Sequence, residues 1–197
     1  MKTLTLAAIR CSLMFAAVTA SLFAIRPAQA NYIVTLQQVG PNVVATGMGK
    51  INLNGLTPQP RGVSASLIQP SLGDIVTGHA ANCDVWGFTI TGPSNFGMGT
   101  GELQDNGTGD IVGMLFNGGN KPSLVVPVAY NGTDLSNSRT FSDATFASLG
   151  VTPGTYVWTW GNGLPSQSFT LQIGSLGGPG VPDSGSTVSL LGFGLLG

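Results

Sequence analysis

The sequence predicts an all-β protein whose body, residues 31–173, is a single β-sandwich, Ig-like or jelly-roll-like. Three observations predict it. Short runs rich in Val, Ile, Thr and aromatic residues recur with Gly, Pro and Asn between them, at the spacing of sandwich or barrel strands. No stretch of the body shows the apolar period of an amphipathic helix. Glycine (30) and proline (12) are abundant, as many tight turns require, yet stay below the share that marks disorder without a repeat.

The elements follow in order. Residues 32–39 read as a first strand ended by Gly40-Pro41-Asn42. Residues 43–53 read as a second, with Val44, Thr46 and Met48 on one face, and the pair as a hairpin. Residues 63–68 alternate Val63, Ala65 and Leu67 against Ser64, Ser66 and Ile68. Residues 85–90 place Trp86, Phe88 and Ile90 on one face. Residues 101–104 and 110–116 flank Asp105-Asn106-Gly107-Thr108-Gly109, a hairpin signal because Asn-Gly tolerates positive φ. Residues 124–130 form a strand that Pro127 assigns to an edge, since proline donates no ladder hydrogen bond. Residues 144–149 read equally as a helical turn or a strand.

The clearest unit is 152–173. Thr152-Pro153-Gly154 turns into a strand over 155–160, with Tyr156, Trp158 and Trp160 on one face. Residues 161–166 return the chain to a strand over 167–173, with Phe169 and Leu171 inward and one residue out of phase. No internal repeat of fixed period is present.

Charge narrows the partners. Charged residues make up 8% of the chain and the net charge is −1, against about 25% charged in ordinary domains. Nucleic acid needs clustered cations and is excluded as a partner. Two Cys and one His exclude zinc fingers, iron–sulfur proteins and disulfide scaffolds.

Both ends read as addresses. Lys2 and Arg10 precede an apolar run over 11–25, which Arg26 and Pro27 break. Ala28-Gln29-Ala30 follows, the small-x-small pattern that signal peptidase accepts. Residues 1–30 are therefore expected to be a signal peptide, its run forming a signal helix, with cleavage between Ala30 and Asn31 and secretion by the general secretory pathway. The run is shorter than the ~20 residues that span a bilayer. The mature chain keeps four cations and eight acids, a net charge of −4, and one cysteine, Cys83. Cys83 can form no internal disulfide and is expected to be buried. At the other end, 174–180 is a Gly-rich linker. It leads to Val181-Pro182-Asp183-Ser184-Gly185-Ser186-Thr187 and ten nearly apolar residues, 188–197, too few to span a bilayer.

This tail resembles the PEP-CTERM sorting signals, in the variant with a VPDSG motif. The resemblance rests on Val181, Pro182, Asp183, Ser184 and Gly185, on Ser186-Thr187, and on the Leu/Gly run after them. In that family the motif precedes a transmembrane helix and an Arg-rich end. The second half of the helix and the basic end are missing here, as in a shortened reading frame or fragment. Stretches 42–47, 92–97, 146–150 and 151–161 resemble a recurrent body of uncharacterised PEP-CTERM proteins. The resemblance implies an exosortase-type membrane protease as partner, transient membrane association, and an exported cell-surface or extracellular-matrix protein of bacteria that make exopolysaccharide. It implies no activity.

The residues themselves point away from catalysis. His79 is the one histidine, in the Gly-flanked loop Thr77-Gly78-His79-Ala80, and no G-x-S-x-G elbow accompanies it. His79, Cys83 and Asp84 fall short of the four ligands of a structural zinc site. The 105–110 stretch has Gly107 and Gly109 where a calcium loop needs oxygen ligands. Neither a metal nor a cofactor is expected. The sharpest binding candidate is the aromatic face of Tyr156, Trp158 and Trp160. Spaced by two, they would form a stacking platform for sugar rings, with Asn162 and Gln167 as hydrogen-bonding neighbours. The competing expectation is core, which large inward aromatics fill. The expected function is a structural or interaction role without catalysis. The alternatives are an exopolysaccharide-binding module and a secreted hydrolase using His79 with nearby acids.

Overall fold

A computed structural model describes residues 31–87, 89–103, 107–116, 121–161 and 167–174. The expected signal helix, linker and sorting motif lie outside them. The strands are β1 (Asn31–Val39), β2 (Asn42–Gly49), β3 (Thr57–Ser64), β4 (Leu67–Gln69), β5 (Asp74–Thr77), β6 (Ala81–Gly87), β7 (Glu102–Leu103), β8 (Gly107–Gly109), β9 (Val112–Leu115), β10 (Ser123–Pro127), β11 (Leu135–Phe141), β12 (Gly154–Trp160) and β13 (Gln167–Ile173). Among the described residues a short α-helix, α1 (Phe146–Leu149), and a 3-10 turn at Pro70–Leu72 interrupt them.

The strands form two sheets. One has six strands in the order β12-β13-β1-β2-β11-β8, and the other seven in the order β3-β6-β10-β9-β5-β4-β7. The pairings are antiparallel except that of β1 with β13, which is parallel. The predicted sandwich is therefore the observed architecture. Strict alternation builds its core. Tyr32, Val34 and Leu36 of β1 are buried while Ile33, Thr35 and Gln37 face out. Val43 and Ala45 of β2 and Phe169 and Leu171 of β13 join them. Ile75, Val112, Met114, Leu124 and Val126 of the other sheet close the layer. Val76, Cys83, Ile111 and Val125 form a second buried cluster, on the opposite face of the seven-stranded sheet by the same alternation.

The β1–β2 hairpin forms as expected, turning at Gly40 (φ +58°) and Pro41. β2 ends at Gly49, short of the predicted 53. Val44, Thr46 and Met48 do share a face, and it is the outward one. The unit after residue 152 is a hairpin too, but in phase. Tyr156 lies opposite Leu171, Trp158 opposite Phe169 and Trp160 opposite Gln167.

Several expectations are corrected. The hairpin centred on residues 105–109 does not form. β7 pairs with β4, and β8 crosses to pair with β11 in the other sheet. Gly107 and Gly109 serve close backbone approach: a Cβ on Gly107 would meet the Gly78 carbonyl, and one on Gly109 the Ser136 carbonyl. Residues 104–106, at the centre of that signal, lie outside the described residues. β10 is interior, between β6 and β9. Its Pro127 is the terminal residue, paired with Cys83 of β6 but two past the last β9 pairing at Val125, so its missing N–H costs nothing on the β9 side. β6 starts at Ala81 and ends at Gly87 rather than running 85–90, and Phe88 lies outside the described residues. The strand expected over 63–68 is instead the end of β3 and the start of β4, broken at residues 65–66; the rest of β3, and β5 and β11, were not legible. β3 carries Pro58 and Pro60, tolerated because it is an edge strand with an irregularity between Gln59 and Gly62. β5 is buried at all four positions and does not alternate. β11 reads Leu-Ser-Asn-Ser-Arg-Thr-Phe, which looks like loop until its inward Arg139 is seen buried.

The ambiguous 144–149 stretch is helical. Thr145 Oγ1 accepts from Ser148 N at 3.0 Å and Ser148 Oγ accepts from Thr145 N at 2.8 Å, a capping box. Gly150 (φ +63°) ends the turn.

Candidate functional site

The six-stranded sheet has an unusual outward face. Thr155 lies opposite Gln172, Gln172 beside Thr35, Thr35 opposite Thr46, Thr46 opposite Ser138, and Ser138 opposite Thr108. One row of hydroxyl and amide side chains thus crosses all six strands. The next row is Val157, Thr170, Ile33, Met48 and Ser136. It is partly apolar and open, with Met48 63% and Val157 41% exposed. On the other side stand Gln37, Val44 and Thr140. Strand spacing sets neighbours in a row about 4.8 Å apart and adjacent rows about 6.8 Å apart. Thr35 Oγ1 lies 3.3 Å from Thr46 Oγ1 and 3.4 Å from the Thr46 carbonyl, so part of the row is internally bonded.

No charged residue faces outward from these strands. Their one charged side chain, Arg139, points inward and is buried. Its guanidinium sits 4.1 Å above the Phe141 ring, and Nη2 reaches the Glu102 carbonyl at 3.5 Å. Burial lowers its pKa to about 10, which still leaves it cationic at neutral pH.

The aromatic platform is not present. Trp158 is 0% and Trp160 6% exposed. Their indole N–H groups donate to the Pro93 carbonyl at 3.0 Å and the Asn52 carbonyl at 2.7 Å. Trp158 packs edge-on against Phe169 with ring centres 5.7 Å apart. Tyr156 is half-buried against Phe96 and donates to the Thr152 carbonyl. Gln167 is buried and Asn162 lies outside the described residues. The sandwich turns this face inward because it is the only apolar face β12 has.

The other candidates disperse. His79 is exposed, its backbone N–H on the Gly109 carbonyl. Cys83 is buried in the second cluster, and desolvation pushes its thiol pKa up. Asp84 is engaged elsewhere, accepting from Arg61 Nε at 2.6 Å and Ala129 N at 2.9 Å. Those donors, the Ala129 N–H foremost, hold its pKa below the ordinary value. Asp110 Oδ2 accepts from Ser136 N, a structural use. Among the described residues no three His, Cys, Asp or Glu side chains gather where they could hold a metal ion. A cleft of about 320 Å³ lies between residues 50–54 and 130–132, with Lys50 drawn to Asp134 at 3.5 Å. Of the processing residues, Asn31 is the first of β1. Ala28, Ala30, Val181, Pro182, Asp183, Ser184 and Gly185 lie outside the described residues.

The outward rows were missed because alternation marks polar outward positions strand by strand but not which of them align. Val44, Thr46 and Met48 sharing a face was the one visible hint.

The class so defined is a β-sandwich body followed by an address. The address is the VPDSG-CTERM motif, whose family model matches residues 180–197. The chain therefore carries a PEP-CTERM-type C-terminal sorting signal. Such a signal marks an exported protein and is consistent with processing by an exosortase-type enzyme. No curated protein and no solved structure matches the chain.

Proposed function

We infer that the protein is a cell-surface or extracellular-matrix component with a structural or interaction role and no catalysis. The observation that carries this reading is the motif match at residues 180–197. The reading takes delivery as the mechanism. The Sec pathway exports the chain and signal peptidase cuts before Asn31, which would leave β1 whole. The apolar run over 188–197 holds the chain at the membrane, and an exosortase cuts near Pro182. The single histidine stands exposed in a loop, its backbone N–H on the Gly109 carbonyl, which favours a body without hydrolytic machinery.

The test is an intact mass of the protein from cells and medium of its own host, with and without the exosortase. The expected mass in the medium fits Asn31 to near Pro182, with or without attached sugar, and release fails when the exosortase is deleted. An unprocessed chain in the cytoplasm would overturn the reading. So would release of residues 31–197 regardless of the exosortase.

A further inference from the structure

We propose that the outward face of the six-stranded sheet docks an extended, uncharged polysaccharide, laid across the strands along the row Thr155, Gln172, Thr35, Thr46, Ser138 and Thr108. The proposal rests on the surface-component reading and names what that component meets. Charge is the first argument. The strands themselves put no ionic group on the face, and the charges at its border are matched to one another or to the backbone, Lys50 with Asp134 and Asp110 with the Ser136 N–H, so a charged partner would lose hydration there and gain no free counter-charge. That removes nucleic acid and acidic polysaccharides. An anionic lipid surface asks for Lys, Arg and Trp, which these outward positions lack.

The chemistry of the rows is the second argument. Hydroxyls and the Gln172 amide both donate and accept, as sugar hydroxyls do. The neighbouring row offers Val157, Ile33 and Met48 to the C–H faces of the same rings. Six strands give the row a length of about 24 Å, room for several sugar units in line. Threonine side chains have few rotamers to lose on binding. A second copy of the chain fits less well, because stacked sheets interdigitate apolar side chains across a whole face, and here Ile33, Met48 and Val157 are confined to one row beside the polar one.

The experiment uses the full chain, purified after export, and measures its retention on three neutral insoluble polysaccharides: cellulose, a β-1,3-glucan and a mannan. Polygalacturonate serves as the charged control. Retention on at least one neutral polymer is expected, with little effect of salt and little retention on polygalacturonate. Thr46→Glu with Ser138→Glu should lower it by at least roughly tenfold, since each buried carboxylate would go unpaired. Near-ultraviolet circular dichroism checks the fold. If that pair fails to fold, Thr155→Lys with Thr108→Lys charges the exposed ends of the row and should weaken retention likewise. Three results would overturn the proposal: no retention on any neutral polymer, retention indifferent to the substitutions, or a dimer that buries this face. None of them bears on whether the protein is exported, which the mass measurement decides separately.

Discussion

Gly47 sits in β2 with Val34 and Asn137 as its cross-strand neighbours. A Cβ there would run into Tyr32 Oη and Asn137 Oδ1. The Tyr32 hydroxyl approaches Thr77 and Asn137 without a well-directed hydrogen bond, and burial raises its pKa far enough to keep it protonated. Strand glycine usually weakens a sheet; here it makes room for a buried phenol. Gly47→Ala should therefore cost about 1–3 kcal/mol in urea unfolding, the range of an overpacked core. Gly62→Ala is the comparison, because its Cβ would meet nothing nearer than Cys83 Sγ at 4.0 Å. That variant should stay within about 0.5 kcal/mol of the parent. Equal losses at the two sites would mean that the crowding around Tyr32 is not what reserves position 47 for glycine.

At the scale of elements, Asp84 is the tie that matters. From β6 it reaches Arg61 on the edge strand β3 and the backbone of Ala129, a non-glycine residue at φ +59° in the turn after β10. Its pKa is held below the ordinary 3.8. A carboxylate with a lowered folded-state pKa contributes stability above its unfolded value and loses it as pH falls through the folded one. The stability difference between the parent and Asp84→Asn should thus be largest above pH 3.8 and shrink as acid is added below it. A difference constant with pH would assign the tie to packing instead of charge. α1 shows why element type was half legible. Thr145 and Ser148 spell a capping box, yet four residues are too few for any period to register.

For the whole molecule, the decisive pairing is β1 with β13. It joins the first and last strands of the described body in parallel, with Asn31 beside Ser168 and Leu36 beside Ile173. Neither end of the body can be removed without opening the six-stranded sheet beneath the polar rows. Loop closure on that scale comes before any reward from contact. A chain of residues 31–174 should therefore refold as one cooperative unit, slowly, on the millisecond-to-second scale of β-sandwiches. Stopped-flow tryptophan fluorescence measures this directly, since Trp158 and Trp160 are buried from both sheets' solvent faces. Microsecond folding, or two separate unfolding transitions, would show that the sheets do not depend on that pairing.

Alternation and turn residues were enough to determine the sandwich class and the first and last hairpins, because those signals lie within one strand or one turn. The C-terminal motif was legible for the same reason: a short linear signal is read by an enzyme as a string. Partner choice was not local. Whether residues 101–104 turned back on 110–116, whether Pro127 sat at an edge, and whether Trp158 faced solvent all depended on which strand lay alongside and which layer lay above. Register decided the site as well. Thr35, Thr46, Ser138 and Thr108 come from four strands spread over more than a hundred residues of sequence. Only backbone pairing, repeated at one strand spacing after another, sets them in a single line.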